Sequence, residues 1–287
     1  VMHSMDFEEF LWAKGYKENQ IEDLYTCMKK CKPLTEIQYN VMMKNFKDYM
    51  IVGGIPAIVA RYIANKNFSG ILNMQEQILK DYEEDIAKYA TGLDKARVLN
   101  AYRKIAAFLG NENKKFQVSK LAEGARNREY RGVSDWLSDA GIINISYCME
   151  ECALPLKGNY NPDNYRLYFA DTGLLIASLD DEAQDDLRKN QNFNTYKGAI
   201  YENIIGDMLV KEGYDLFFYK SEKGNIEMDF FIRDRNSLIP VEVKANDNST
   251  VSLNYLIESN KYKDIKYGIK LCNKNIGFNG KFYTFPY

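Results

Sequence analysis

Two acidic residues and a lysine near the C-terminal end of the chain have the types and spacing that phosphodiester chemistry uses. Asp229 lies in the largely apolar segment 227–233, and Glu242 and Lys244 lie in the next such segment, 238–244. Side chains alternate between the two faces of a strand, so Glu242 and Lys244 share a face. Two adjacent strands here would therefore present two carboxylates and one amine.

The register of these strands decides which side chains meet. If the turn-like residues 234–237 form a hairpin loop, Asp229 stands opposite Glu242 and Glu227 stands opposite Lys244. Two carboxylates in directly opposed positions repel each other. A divalent cation is the simplest reason for such a pair, because magnesium binds a few carboxylates together with water and substrate phosphate. The amine would then polarise a water or stabilise the phosphate.

A third acid and a simpler explanation both follow from the same residues. Glu202 lies at the edge of the apolar stripe of a predicted helix over 195–211, where it can reach the sheet without being buried. The simpler explanation is structural. Lys244 and Glu227 would form an ordinary cross-strand ion pair, while Asp229 and Glu242 would lie on a solvated face. The pattern alone leaves both explanations open.

Composition limits the class of protein. The chain has 287 residues, of which 46% are hydrophobic, which is typical of a globular protein with more than one domain. Its 38 basic and 40 acidic residues exclude a general nucleic-acid-binding coat, so any such contact must be local. An odd set of 5 cysteines favours a reducing cytoplasm. The sequence contains no secretory signal and no apolar run of roughly 20 residues, so no membrane partner is expected.

Three regions follow one another along the chain. Residues 1–95 read as helical. Residues 96–182 show three helices and then a β-hairpin, which is the order of a winged helix. Residues 183–287 alternate helices and strands, with strands expected at 216–220, 227–233, 238–244, 266–272 and 282–286. The predicted fold class is mixed α/β in several domains.

The predicted winged helix carries a local excess of basic residues. Lys120, Arg126, Arg128 and Arg131 lie in or before its third helix, which in this fold enters a groove of DNA. The prediction is a weak, salt-sensitive contact with DNA phosphates. The alternative is that these charges only solvate a surface helix, since many winged helices mediate protein contacts.

The acidic motif resembles a known family. Residues 197–203, 227–232 and 239–244 resemble the C-terminal domain of a large group of bacterial and archaeal AAA-type ATPases. That domain has no established function and is similar to the PD-(D/E)xK nucleases. The resemblance implies a restriction-endonuclease-like fold for 183–287. It also implies that Asp229, Glu242 and Glu202 bind magnesium or manganese and that Lys244 is the catalytic lysine.

The resemblance extends along the chain but lacks one part. Residues 4–15 resemble the segment that follows the ATPase core in that group, 49–56 its helical lid, and 135–143 and 168–175 its winged helix. No phosphate-binding loop motif occurs, so no ATP site is expected, and the missing ATPase core is an expected partner. The sequence thus favours a metal-dependent nuclease-like module that acts on DNA. The alternative is a non-catalytic DNA-binding, regulatory or assembly region with a degenerate nuclease fold.

Overall fold

The structure is a computed structural model that describes residues 3–110, 115–117, 120–121, 130, 132–179, 182–189, 191, 196–246 and 249–287. The helices in these residues are α1 Phe7–Ala13, α2 Glu18–Lys29, α3 Glu36–Val52, α4 Pro56–Asn65, α5 Ile71–Tyr89, α6 Lys95–Leu109, α7 Val133–Asp139, α8 Thr172–Ala177, α9 Ala183–Lys189, α10 Tyr196–Lys211 and α11 Val251–Glu258. The strands are β1 Ile143–Met149, β2 Tyr160–Phe169, β3 Leu216–Lys220, β4 Glu227–Met228, β5 Phe230–Asp234, β6 Ser237–Val243, β7 Gly268–Cys272, β8 Gly277–Phe278 and β9 Phe282–Pro286. The mixed α/β fold class is confirmed. None of the described helices has the length and apolar character needed to cross a membrane.

Local signals fix where the first helices begin. The Asp6 side chain accepts from the Glu9 amide at 2.8 Å, and Glu9 accepts from the Asp6 amide at 2.9 Å, which closes a capping box on α1. Thr35 caps α3 in the same way. Pro56 is the first residue of α4, a position whose amide hydrogen has no acceptor within the helix, so the absence of this hydrogen in proline costs no hydrogen bond.

One hydrophobic core links the three predicted regions. Fully buried side chains from each region belong to the same cluster, among them Phe10 in α1, Ile105 in α6 and Ile200 in α10. The N-terminal helices therefore pack against the rest of the chain and bury their apolar faces there. A second cluster lies where α11 covers the opposite side of the C-terminal strands.

The predicted hairpin over 142–169 is present, but it is not a free wing. β1 and β2 pair antiparallel, and the other edge of β1 pairs parallel with β3. The resulting four-stranded sheet has the order β2-β1-β3-β4. β3, from the predicted region 183–287, thus shares a sheet with the hairpin of the predicted region 96–182. Both edges of β1 are hydrogen-bonded, and β2 is left as an edge strand of the sheet.

The hairpin of β5 and β6 has the predicted register, but fewer residue pairs than predicted lie in it. The pairs run from Asp234–Ser237 to Phe230–Val241, so the turn contains only two residues. The expected strand 227–233 divides at Asp229, because β4 pairs with β3 and β5 pairs with β6. The five-stranded sheet that begins with β5 has the order β5-β6-β7-β9-β8.

The predicted pairing of Glu227 with Lys244 is wrong. Glu227 lies opposite Lys220 of β3 and forms an ion pair with it at 3.1 Å. The reason is the break at Asp229, where the chain passes from one sheet to the other, so that Glu227 never joins the hairpin of β5 and β6.

Candidate functional site

The end of β6 carries a close acid–lysine pair. Glu242 is 3% exposed, and the Lys244 ammonium lies 2.8 Å from its Oε1 atom. Lys270 on β7 is directly paired with Glu242 in the sheet and is itself buried. The alternation predicted from the sequence therefore brings Glu242 and Lys244 together, and the neighbouring strand adds a second lysine.

Asp229 joins this group through the backbone of β6. Its Oδ2 atom accepts a hydrogen bond of 2.8 Å from the amide of Val243, the residue between Glu242 and Lys244. The break between β4 and β5 places this carboxylate at the end of the hairpin rather than in a strand pair. The structure thus places the Asp229 carboxylate against the strand end that carries Glu242 and Lys244.

The charges in this group act on one another. Burial lowers the pKa of Lys244, but the carboxylates of Glu242, Asp229 and Glu202 outweigh burial and raise it above its ordinary value. Burial raises the pKa of Glu242, while Lys244 and Lys270 act in the opposite direction. Lys244 is therefore held in its protonated form, and the ionised form of Glu242 depends on its cationic neighbours.

The second oxygen of Glu242 is an unsatisfied polar atom. Its Oε2 is buried and has no hydrogen-bond partner in the described part of the chain. Buried carboxylate oxygens are nearly always satisfied in native proteins. A cation bound at this oxygen would supply the missing interaction.

Glu202 is buried, contrary to the prediction that it lies at an edge. It is 2% exposed within α10, and its Oε1 accepts a 2.9 Å hydrogen bond from Arg166 and another from the hydroxyl of Tyr168. Arg166 is 1% exposed, also pairs with Glu227, and stacks on the ring of Phe218 at 4.0 Å. This guanidinium is what makes burial of the acid tolerable, because it satisfies and neutralises the carboxylate.

Arg166 and Lys270 are two of the residues at the site that the sequence reasoning missed. Burial lowers the pKa of Arg166, but Glu202, Tyr168, Glu227 and Asp229 together raise it, so the guanidinium stays charged. A signal existed: each is a single basic residue inside an apolar strand, β2 or β7. Such a residue is either exposed or paired, and only the tertiary contacts decide which.

A three-carboxylate cation site has no support among the described residues. No group of three potential metal ligands is arranged for a metal among the described residues. The Glu202 carboxylate is occupied by Arg166 and Tyr168, so its predicted role as a ligand has no support in the geometry. Glu242 and Asp229 are also contacted, by the Lys244 ammonium and the Val243 amide, and only Glu242 keeps a buried oxygen without a hydrogen-bond partner among the described residues. Magnesium commonly uses one or two carboxylates and completes its shell with water and phosphate.

The predicted DNA contacts fall largely outside the described residues. Arg126, Arg128 and Arg131 are among the residues that the structure does not describe. Lys120 is exposed, and its backbone carbonyl accepts a 3.1 Å hydrogen bond from the Lys104 ammonium. The DNA-binding role of these four residues stays a prediction.

Two protein families match parts of the chain. Residues 43–185 match a family described as a domain of unknown function (DUF8612). Residues 197–287 match a second domain of unknown function (DUF4143), which is found in C-terminal regions associated with AAA-type ATPases. The second match contains all four predicted site residues, whereas Arg166 lies in the first. No curated protein and no solved structure gives a significant match.

Proposed function

We propose that the C-terminal part of this chain is a nuclease-like module that binds one divalent cation at Asp229 and Glu242 and acts on DNA. We further propose that the chain is the C-terminal part of an AAA-type ATPase and lacks the phosphate-binding loop. The observation that carries the proposal is the buried Glu242 oxygen that has no hydrogen-bond partner among the described residues. It lies at the strand end where Lys244 is held protonated and where Asp229 accepts from the Val243 amide. The match to a family associated with AAA-type ATPases supports the second part.

Each side chain has a distinct role in this proposal. A magnesium ion held by Asp229 and Glu242 would supply a water of lowered pKa and neutralise phosphate charge. Lys244, whose pKa is raised, does not accept a proton at neutral pH. It acts instead as a cation that binds a phosphate oxygen or orients a water through its N–H groups. Arg166 keeps Glu202 and Glu227 neutralised behind the reacting groups.

Calorimetric titration with manganese and magnesium tests this assignment. We expect the native chain to bind one ion, Glu242→Gln to abolish binding, and Glu258→Gln to leave it unchanged. Glu258 is a matched control because it also forms an ion pair with a lysine, Lys281, but at the surface. Lys244→Ala should retain the ion and lose cleavage. The assignment fails if the native chain takes up neither ion and cuts neither DNA nor RNA, single- or double-stranded.

A non-catalytic role in DNA binding, regulation or assembly is the second candidate. The observation that favours it is that protein cations already neutralise the acids: Lys244 contacts Glu242, and Arg166 contacts Glu202. In that case the constellation stabilises the junction of the two sheets and needs no ion. The same titration distinguishes the two candidates, because a purely structural acid–lysine pair gives no metal uptake, and Glu242→Gln then changes only the stability of the fold.

A further inference from the structure

The far edge of the five-stranded sheet carries a cluster of aromatic side chains that the candidate site does not use. We call Tyr267, Phe278, Tyr283 and Phe285 the aromatic surface. The Tyr283 ring is central, with centroids 4.5 Å from Phe278, 5.8 Å from Tyr267 and 6.0 Å from Phe285. The Tyr283 and Phe285 rings are parallel within 8°. Four rings thus form one continuous patch on β8, β9 and the start of β7.

One end of this aromatic row is covered and the other is open. Strand alternation puts Tyr283, Phe285 and Tyr287 on the same side of the sheet. The Tyr287 ring is covered by Tyr201 at 4.1 Å and by Phe46 at 5.6 Å. At the opposite end, Phe278 is 50% exposed. The covered end belongs to the core, whereas Phe278 at the open end is accessible to solvent and the other three rings are half-buried.

The segment that carries these rings is basic although the whole chain is not. Residues 261–287 contain one acid, Asp264, and six lysines, namely Lys261, Lys263, Lys266, Lys270, Lys274 and Lys281. Two of these lysines already have acidic partners: Lys270 is buried opposite Glu242, and Lys281 pairs with Glu258. Lys266 is exposed directly before Tyr267, and Arg235 is exposed in the turn before β6. Asp234 is a negative charge near the same rings, which would oppose the binding of an anion. Its proximity shows in the pKa of Tyr267, which is raised mainly by burial and further by the Asp234 carboxylate.

We infer that the aromatic surface binds single-stranded nucleic acid. Unpaired bases expose faces that stack on aromatic rings, and nearby lysines neutralise the phosphates. A duplex offers no free base faces to these rings. A purely apolar partner would gain nothing from the surplus of lysine. The inference rests on the proposed function in one respect, which is that the bound strand would be the substrate of the candidate site. The two are close enough for this, because β6, which carries Glu242, lies two strands from β9, about 10 Å away in the same sheet.

Fluorescence anisotropy with labelled oligo-dT and oligo-U strands of about 16 nucleotides tests the inference. The measurement is made in EDTA at low salt, so that binding does not depend on a metal or on cleavage. We expect Phe278→Ala to weaken binding about tenfold, and more when combined with Tyr283→Ala. Phe278→Trp should retain binding, and Asp234→Asn should strengthen it. Tyr214→Ala is the matched control, since Tyr214 is an aromatic residue 41% exposed outside this surface.

Each outcome bears on the inference separately from the proposed function. Retained binding by Phe278→Trp and Tyr214→Ala, with loss in Phe278→Ala, supports it, and the two oligonucleotides show whether DNA or RNA is preferred. It is overturned if neither strand binds, or if Phe278→Ala binds both strands as tightly as the native chain. It is also overturned if Phe278→Ala dissociates a dimer in sedimentation, because a second copy then covers the rings. Binding without any cleavage in manganese would sustain this inference and refute the proposed nuclease activity.

Discussion

Asp207 is the acid whose titration should be most visible in the stability of this protein. It is 3% exposed in α10, and the Lys211 ammonium lies 2.8 Å from its carboxylate. Burial raises its pKa to about 7, although Lys211 acts to lower it. The same ammonium donates to the Tyr49 hydroxyl and to the Met5 carbonyl, both at 3.1 Å. This network joins α10 to α3 and to the segment before α1.

The expected effect is set by the difference between the folded and unfolded pKa values of Asp207. The unfolded value is about 3.9, so the folded value of about 7 corresponds to roughly 3 units, or up to about 4 kcal/mol. Because folding raises this pKa, the folded state favours the protonated carboxyl. Its contribution to stability is complete below about pH 4 and is lost as the pH rises through about 7.

Asp207→Asn removes this titration while keeping a neutral hydrogen-bonding group. We expect the free energies of unfolding of the variant and the native chain to differ by no more than about 0.5 kcal/mol at pH 4. At pH 8 the variant should be more stable, by up to about 4 kcal/mol. Urea denaturation at both pH values measures this, with Asp23→Asn in exposed α2 as the control.

The opposite outcome has an equally definite physical meaning. Removing one partner of a favourable buried ion pair typically destabilises a protein by about 3–5 kcal/mol. If Asp207→Asn is less stable than the native chain at pH 8, attraction to Lys211 exceeds the cost of burying the charge. The reasoning from burial would then be refuted for this residue.

Three other predictions concern the remaining parts of the chain. Gly53→Ala should destabilise the fold by at least about 3 kcal/mol, because the φ of Gly53 is 74° and a β-carbon there would overlap the Asp171 carboxylate. Gly92 has a φ of 80° but open space around it, so Gly92→Ala should destabilise the fold by only about 1 kcal/mol. Thermal or urea unfolding measures both variants. Calorimetry with ATP and magnesium should detect no binding, since the phosphate-binding loop motif is absent, and micromolar affinity would contradict this. Arg128→Ala combined with Arg131→Ala should weaken duplex DNA binding at low salt, and unchanged affinity would remove the recognition-helix assignment.

Periodicity and turn residues predicted the local parts of the C-terminal fold well. The strands at 216–220 and 282–286 have the predicted bounds, and the pairing of β5 with β6 follows the predicted register. Both depend on neighbours close in sequence. The parallel pairing of β1 with β3 joins residues about seventy positions apart, such as Ser146 and Leu216, and leaves no periodic signal. The break at Asp229 was missed for the same reason, because it results from the pairing of β4 with β3, which also leaves no periodic signal in the sequence.

The sequence indicated the acids and the lysine of the candidate site, but it did not indicate the other basic residues that neutralise the acids. Four acids meet four cations across the junction of the two sheets: Glu202, Glu227, Asp229 and Glu242 against Arg166, Lys220, Lys244 and Lys270. Three of the cations lie on β2, β3 and β7, outside the motif itself.

That balance determines how a cation would bind. The site has no excess negative charge, so an ion at Asp229 and Glu242 must compete with the Lys244 ammonium for Glu242. The competition is favourable only if Lys244 gains another anionic partner as it leaves, and a substrate phosphate is such a partner. Metal and phosphate should therefore bind this site more tightly together than either binds alone. A purely structural cluster has no reason to couple the two.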